Sequence, residues 1–385
     1  MDRHNTECIG MDIGDNFCVI RGVDEVENEV SVVRKSRVEC TEASIQGYFG
    51  ALEPRRVVIE ACTHSPWVSR LLERLGHQVV VANPRRVQLI SQNKYKDDQT
   101  DAELLARLGR ADAELMRPIE HRSEQRQADL AFIRMRDTLV RARTALISAV
   151  RGQVKSFGGR IPACSSESFG KKARPFLPAP VRAGLEIMLA EIQQLTARIR
   201  QVDRQIEQLC QERYPEAQQL SQIKGVGSLT ALCFVLVCPG PEHFQTNRAV
   251  GSFLGLCPGR NQSGESDPNC RITKAGDRYL RQLLVQCAHW ILTFGELSDL
   301  RIHGQKLIDR GGKYARSKAA VAVARKLAVL MMHLWRSGDT WDPLYNTQRN
   351  QSGAHVYQLK RTPTRHPDGP HPDGQKTTSL SEQIT

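Results

Sequence analysis

No apolar run of about 18 residues occurs anywhere in the 385-residue chain, so nothing in it is long enough to cross a bilayer as a helix. The start, Met1-Asp-Arg-His-Asn-Thr-Glu7, is polar and does not read as a secretory signal. Cys-x-x-Cys pairs are missing too. The eleven cysteines are odd in number and scattered, which argues against a zinc site or a disulfide framework. Several (Cys62, Cys233, Cys238 and Cys287) sit in apolar runs and read as reduced core residues of a cytoplasmic protein. Acid is short against base: 42 Asp and Glu face 54 Lys and Arg, giving a net charge of +12. That imbalance points to an anionic partner, and the spread of the basic residues along the chain makes nucleic acid the first candidate. With 40% hydrophobic and 25% charged residues the chain is globular and long enough for two or three domains with cores of their own.

Residues 1–118 carry a strand-rich pattern. Cys8-Ile-Gly-Met-Asp-Ile13 is a short apolar strand. A turn at Gly14-Asp-Asn16 leads to a second strand, Phe17-Cys-Val-Ile-Arg-Gly-Val23, and Glu29-Val-Ser-Val-Val-Arg-Lys35 alternates as a third. A polar helix is expected over 41–52. Arg56-Val-Val-Ile-Glu-Ala61 is a buried fourth strand. A helix with an early proline follows from Ser65, and Gly76 stops it. His77-Gln-Val-Val-Val-Ala82 is a fifth strand, and Asn83-Pro-Arg-Arg86 turns out of it. Three meandering strands and then helix, strand, helix, strand, helix is the element order of the ribonuclease H-like fold.

Lys94-Tyr-Lys-Asp-Asp-Gln-Thr-Asp101 then opens a helix that continues through Leu108. Asp98 and Asp101 share one side of its first turn. Two readings stand side by side. In one, Asp98 is the N-cap and Asp101 an acid at N3, favoured by the helix dipole. In the other, both join Asp12 of the first strand and Glu60 of the fourth around a metal. Grouped carboxylates repel and stay ionised only with a cation between them. An all-oxygen ligand set selects Mg²⁺ or Mn²⁺, which would polarise a scissile phosphate.

Residues 119–213 change character. The stretch 121–157 is helical and rich in arginine, with apolar pairs at Phe132/Ile133, Leu139/Val140 and Leu146/Ile147. A polar loop separates it from a heptad run through Leu185, Met188, Ile192, Leu195, Ile199, Val202, Ile206 and Leu209. That spacing predicts an antiparallel helical hairpin or a coiled coil between subunits. The arginines are either a solvated face or a phosphate-tracking one.

Residues 214–345 read as mainly helical. Leu220-Ser-Gln-Ile-Lys-Gly-Val-Gly-Ser-Leu-Thr-Ala231 looks like a helix-hairpin-helix element, in which Lys224, Gly225 and Gly227 would meet a phosphate. An ordinary glycine turn is the plainer reading. The stretch from Gly255 to Gly276 is a long polar loop of a kind that tends to be functional. It holds Ser263, with Ser266 nearby and Arg260, Arg271, Lys274 and Arg278 close in sequence. A loop serine is ordinarily a turn residue, and no histidine adjoins this one in sequence. Residues 301–336 carry nine Lys and Arg against one Asp, with a last amphipathic helix over 317–335. So lopsided a run fits phosphate contacts. From about 346 to 385 a polar tail, with the near-repeat His366-Pro-Asp-Gly-Pro-His-Pro-Asp-Gly374, is expected to be disordered.

Taken together, Gly10-Met-Asp-Ile13, Val58-Ile-Glu-Ala61, Asn83-Pro84, Lys96-Asp-Asp-Gln-Thr-Asp-Ala102, Ile223-Lys-Gly-Val-Gly227, Gly255-Leu-Cys-Pro258, Ser263-Gly264 and Thr273-Lys-Ala-Gly276 resemble a known family. The chain is similar, over about residues 7–340, to the DEDD-type insertion-sequence transposases that carry a catalytic serine, some of which are bridge-RNA-guided recombinases. The resemblance implies an α/β RuvC-like domain, a coiled-coil middle and a mainly helical transposase domain. It implies that Asp12, Glu60, Asp98 and Asp101 form the metal site. It implies that Ser263 attacks a DNA phosphate and leaves a covalent phosphoserine, and that the chain assembles as a homodimer or homotetramer, with DNA and in some members a guide RNA as partners. The competing readings are a metal-only nuclease of the Holliday-junction type, in which Ser263 is structural, and a non-catalytic nucleic-acid-binding protein.

Overall fold

The computed structural model describes residues 7–27, 29–90, 97–263 and 270–349. Residues 94–96 of the opening motif, Ser266 and the expected tail from residue 350 onward lie outside the described residues. The chain divides into two compact units, one ending at Asp129 and the other beginning at Leu130.

The first unit is built on a five-stranded sheet: β1 (Cys8–Ile13), β2 (Phe17–Val26), β3 (Glu29–Glu39), β4 (Arg56–Glu60) and β5 (Gln78–Ala82). Their order across the sheet is β3-β2-β1-β4-β5. The first three strands meander antiparallel, whereas β4 lies parallel to β1 and β5 parallel to β4. Parallel central strands are covered on both faces, and their near-continuous apolar runs follow from that. Ile9, Met11, Val57 and Ile59 pack beneath α1 (Glu42–Phe49) and α2 (Ser65–Arg74), through Ile45, Phe49, Val68 and Leu72. Cys8, Val58 and Val80 face the opposite way, towards Leu105 and Ala106. Those two belong to α4 (Asp98–Ala111), which follows a short α3 (Pro84–Ile90). The result is three layers: helix, sheet, helix.

The second unit starts within α5 (Glu124–Ser156), which runs antiparallel to α7 (Arg182–Glu212), with the short α6 (Phe169–Ala173) in the connection. Ile133 clusters with Ile206, Arg136 bonds Asp203, Arg143 reaches Thr196, and Val150 and Val154 pack with Leu185 and Leu189. The hairpin reading is therefore realised within one chain. Its core is not the expected heptad throughout. Leu185, Ile192, Ile199 and Ile206 are buried, but Leu189, Thr196 and Cys210 fill the gaps between them. Met188, Leu195, Val202 and Leu209 remain half-buried along the flank. The arginines of α5 are divided in their contacts: Arg151 donates to the Ile161 and Pro162 carbonyls, Arg134 pairs with Asp277, and Arg141 pairs with Asp137 of its own helix and is exposed.

Among the described residues, six further α-helices follow in this unit: α8 (Pro215–Leu220), α9 (Ser228–Val237), α10 (Ala249–Phe253), α11 (Arg278–Thr293), α12 (Asp299–Asp309) and α13 (Ala315–Ser337). Helix α9 is apolar all round and buried from Thr230 to Val237, so it forms the centre of the core. Residues 339–349 cross this unit as a strap. The backbone carbonyl of Asp339 accepts from Gln219 and Gln222, and the Trp341 amide donates to Gln222 Oε1 at 2.7 Å. Asp299 takes both the amide and side chain of Asn346 and of Thr347. Residues 346–349, expected to begin the tail, are thus ordered and bonded as far as Arg349, with the Gln348 amide on the Leu344 carbonyl and Arg349 on the Tyr345 hydroxyl.

All eleven cysteines are free thiols. Cys233, Cys238 and Cys287 are buried as expected, but Cys62 is exposed, because it lies just past the end of β4 in the turn leading to α2. No helix among the described residues is long and apolar enough to cross a membrane.

Candidate active site

Asp12 and Glu60 extend β1 and β4 one residue beyond the paired Met11 and Ile59. They therefore sit side by side at the carboxyl ends of two adjoining parallel strands, both half-buried. Helix α4 brings the other two acids to the same end, and glycine sets how. A Cβ on Gly10 would stand 2.0 Å from the Ala102 carbonyl oxygen and 2.5 Å from the Ala106 nitrogen, and one on Gly109 would stand 2.2 Å from Val58 Cγ2. Helix and sheet touch at those points with no side chain between them. Since Gly109 lies over Val58 and Cys8, and Ala102 over Gly10, α4 runs antiparallel to β1. Its first turn, with Asp98 and Asp101, comes to the end where Asp12 and Glu60 lie.

The cap is not where the sequence placed it. Asp97 is the N-cap: its backbone is extended (φ −140°, ψ 122°) and its side chain accepts from the Gln99 amide and the Thr100 hydroxyl. Asp98 is the first helical residue and Asp101 the fourth. The capping role therefore falls to Asp97 rather than Asp98. Among the described residues no group of three or more His, Cys, Asp or Glu side chains is drawn together closely enough to hold a metal. The four acids share one end of the sheet as an open set of oxygen donors, of the chemistry that suits a hard divalent cation.

Two residues that the sequence reading passed over help to build this end. Arg21 of β2, 8% exposed, lies opposite Gly10 and donates to Gln99 Oε1 at 2.7 Å, tying the first turn of α4 to the sheet. An arginine inside an apolar strand was the signal for it. His64, just before α2, accepts from Trp67 Nε1 at 3.2 Å and turns its other nitrogen towards Asp15, 3.4 Å away. At the amino end of β1 the charges are matched differently: Glu7 accepts from Arg34 at 2.6 Å and Arg55 at 3.3 Å. Cys18 lies near the acids at the opposite end. Burial, followed by the neighbouring Cys40 and the Asp12 charge, raises its thiol far above the ordinary range.

Ser263 is exposed and belongs to the second unit. Its loop has an ordered stem, which the sequence did not reveal. Gly259 donates to the Arg271 carbonyl, Thr273 to Cys257 and Lys274 to Gly255, and Pro258 bridges Ile272 antiparallel. Gly255 adopts φ +66°, and a Cβ there would fall 2.2 Å from the Ala275 nitrogen, so the two arms of the stem require glycine at that crossing. Arg281 of α11 clamps the base, donating to the carbonyls of Leu254 at 3.1 Å and of Gly276 and Asp277 at 3.3 Å. Asp277 caps α11 through the Leu280 amide at 2.7 Å and also receives Arg134. Arg260, Arg271, Lys274 and Arg278 are all exposed around this stem. Lys224 is exposed too; Gly225 packs against Trp290, whereas a Cβ on Gly227 would meet nothing within 4 Å.

The sheet order, the paired acids at the ends of β1 and β4, and the helix that adds two more are those of a ribonuclease H-like DEDD domain. Comparison with known proteins carries this further. A transposase model of the DEDD type from IS110 matches residues 9–158, and the model of the transposase IS116/IS110/IS902 family matches residues 217–300. The chain is 32% identical to a "Probable family 20 transposase" of Pseudomonas aeruginosa, over 75% of this chain and 85% of that one. It is 27% identical to the transposase of insertion sequence element IS1328 from Yersinia enterocolitica, over 84% and 95% of the two chains. It is 25% identical to that of IS1111A from Coxiella burnetii, over 86% and 90%. The chain belongs to the IS110/IS116/IS902 transposase family and is a DNA transposase.

Proposed function

We propose that this transposase cuts and rejoins the DNA of an insertion sequence with two sets of residues, Asp12, Glu60, Asp98 and Asp101 in one unit and Ser263 in the other. The reading is supported by the close seating of α4 on Gly10 and Gly109, which sets the first turn of α4, with Asp98 and Asp101, towards the carboxyl ends of β1 and β4. These acids would hold Mg²⁺ or Mn²⁺, which when bound supplies charge to a scissile phosphate. The Ser263 oxygen attacks the phosphorus and gives up its proton. The bond to one sugar oxygen breaks, that oxygen leaves as a hydroxyl, and a phosphoserine ester keeps the other strand end. Attack by a second strand's hydroxyl reverses the exchange and frees the serine, so no outside energy source is needed.

The exposed position of Ser263 on a clamped stem supports its role, and Arg260, Arg271, Lys274 and Arg278 would meet the DNA backbone. The turn at Lys224, Gly225 and Gly227 is assigned a further phosphate contact. The half-buried row Met188, Leu195, Val202 and Leu209 supports assembly into a homodimer or homotetramer through a coiled coil. The net charge of +12 supports a guide RNA as a second polyanionic partner beside DNA. The reduced cysteines fit a cytoplasmic setting.

The test is to trap protein on DNA carrying the element's ends. A denaturant-resistant adduct is expected, absent in Ser263→Ala, present in Ser266→Ala, and lost with Asp12→Ala or on chelation. Cleavage without an adduct, untouched by Ser263→Ala, would instead establish a metal-only nuclease. Digestion of co-purified RNA should abolish the reaction, and full activity after digestion would remove the guide from the scheme.

A further inference from the structure

Helix α13 has two unlike faces. Ala319, Ala320, Val323, Leu327, Met331 and Met332 are buried in the core. Turned away from them, at helical spacing, come Lys318, Val321, Ala322, Arg325, Lys326, and Val329 with Leu330. The three cations are exposed and the apolar residues half-buried. This second face lines a cleft of about 2000 Å³, about twice the upper end of the roughly 300–1,000 Å³ that a small-ligand pocket spans. The strap forms the opposite wall with Trp341 and Tyr345, and Arg271 and Lys274 of the serine-loop stem line the same cavity.

Charge is one-sided here. Arg248, Arg271, Lys274, Lys318, Arg325 and Lys326 line the cleft against Asp299, Asp339 and Asp342. The Asp299 carboxylate is already engaged by the strap. The amino end of α13 adds to the positive field, because no side chain caps it and its first turn holds no acid. A duplex would meet the cations with its phosphates but would have no use for the apolar floor or the aromatic wall, since its base faces are stacked inside. An unpaired strand uses all three: phosphates for the cations, base faces for the aromatics and the floor.

We infer that the cleft between α13 and the 339–349 strap binds an unpaired stretch of polynucleotide, with its phosphates on Lys318, Arg325 and Lys326 and its bases against Trp341 and Tyr345. The stretch is a DNA strand opened during recombination, since Arg271 and Lys274 of the serine-loop stem line the same cleft. Binding here does not depend on Ser263 acting as a nucleophile, and it is read without any cleavage.

The experiment measures binding of the full-length protein to three fluorescent probes of one sequence, namely single-stranded DNA, single-stranded RNA and blunt duplex DNA, over a range of salt. Tyr345→Ala and Trp341→Ala should weaken single-strand binding by about 5- to 150-fold, the range expected for loss of one stacked base, while Trp341→Phe retains most of it. Lys318→Ala with Lys326→Ala should lower the slope of log affinity against log salt by about 1.4, at roughly 0.7 for each phosphate contact on a single strand. Lys171→Ala with Lys172→Ala, on α6, should leave that slope alone. Tighter binding of the RNA probe than of the single-stranded DNA probe would overturn the assignment in favour of an RNA occupant. Unchanged single-strand affinity in Tyr345→Ala and the double lysine variant, or equal weakening on duplex, would overturn the assignment. Tyr345 is 54% exposed, so its removal leaves the fold intact should Trp341→Ala unfold the strap.

Discussion

Gly10 of β1 and Ala102 of α4 meet backbone to backbone: the nearest approach available to a Cβ on Gly10 is 2.0 Å from the Ala102 carbonyl oxygen. No rotamer change relieves such a contact, so Gly10→Ala has to lift the helix. Over-packing of this kind costs roughly 1–3 kcal/mol, and it moves Asp98 and Asp101 away from Asp12 and Glu60. Gly10→Ala should lower the melting temperature and abolish strand cutting. Gly47→Ala on α1, where nothing lies within 4 Å, should leave cutting intact and stabilise by about 0.5–1 kcal/mol. Equal behaviour of the two variants in thermal melts and cleavage assays would refute the role given to this contact.

The strap should loosen in acid. Burial alone would raise the Asp299 carboxyl, but bonds from Thr347 and Asn346 outweigh it and hold the group below its ordinary value of 3.8. A depressed carboxylate contributes stability that is complete above the unfolded value and lost as pH falls through the folded one. Hydrogen exchange at Asn346 and Thr347, corrected for intrinsic rates, should therefore show full protection at pH 5 and declining protection below pH 3.8. Asp299→Asn should lose that protection at both values.

Arg281 holds the serine loop without touching any reacting atom. Arg281→Ala should raise hydrogen exchange across 255–259 and 271–276 and reduce adduct formation by roughly 10- to 100-fold, the scale of a small misplacement at a reacting group. The adduct that does form should still map to Ser263, and Arg281→Lys should recover part of the loss. An unaltered exchange pattern in Arg281→Ala would show that the stem holds itself.

The thiols should react in the order of their surroundings. Cys62 is exposed, whereas burial pushes Cys8 up to about 11 against the opposing charges of Arg56 and Arg110, and Cys18 higher still. A brief alkylation at pH 8 followed by peptide mass mapping should mark Cys62 and spare Cys8 and Cys18 until the protein is denatured. Early labelling of Cys18 would mean that the sheet end beside Asp12 opens in solution.

Much of the first unit was legible because its signals are local. The short apolar runs of β1, β4 and β5 and the breaks between them mark the strands, and their order fixes the ends at which Asp12 and Glu60 emerge. The cap was misplaced by one residue because Asp97 and Asp98 are the same residue type, and only the extended backbone of Asp97 distinguishes them. The serine loop looked irregular because its stem joins Gly255–Gly259, a glycine- and proline-rich arm with no strand pattern, to residues 271–274 by a few long-range backbone bonds. Arg281 and the strap were out of reach for a related reason: a helical arginine and a polar segment reveal their partners only when distant backbone is brought to them. The α7 heptad was visible, but its pattern could not show that Arg143 would carry a hydroxyl bond to Thr196 into the buried row.

Helix initiation at α4 and the carboxylates assigned to chemistry fall to different residues. Because Asp97 takes the amide of Gln99 and the hydroxyl of Thr100, a genetic dissection of the motif separates the cap from the two acids of the first turn. Asp97→Ala should report helix stability, at about 1 kcal/mol, and Asp98→Asn or Asp101→Asn should report chemistry. Three nearly consecutive acids that read as redundant in the sequence are thus open to separate selection, and a drifting copy of the element can lose its activity at one of them while its transposase still folds.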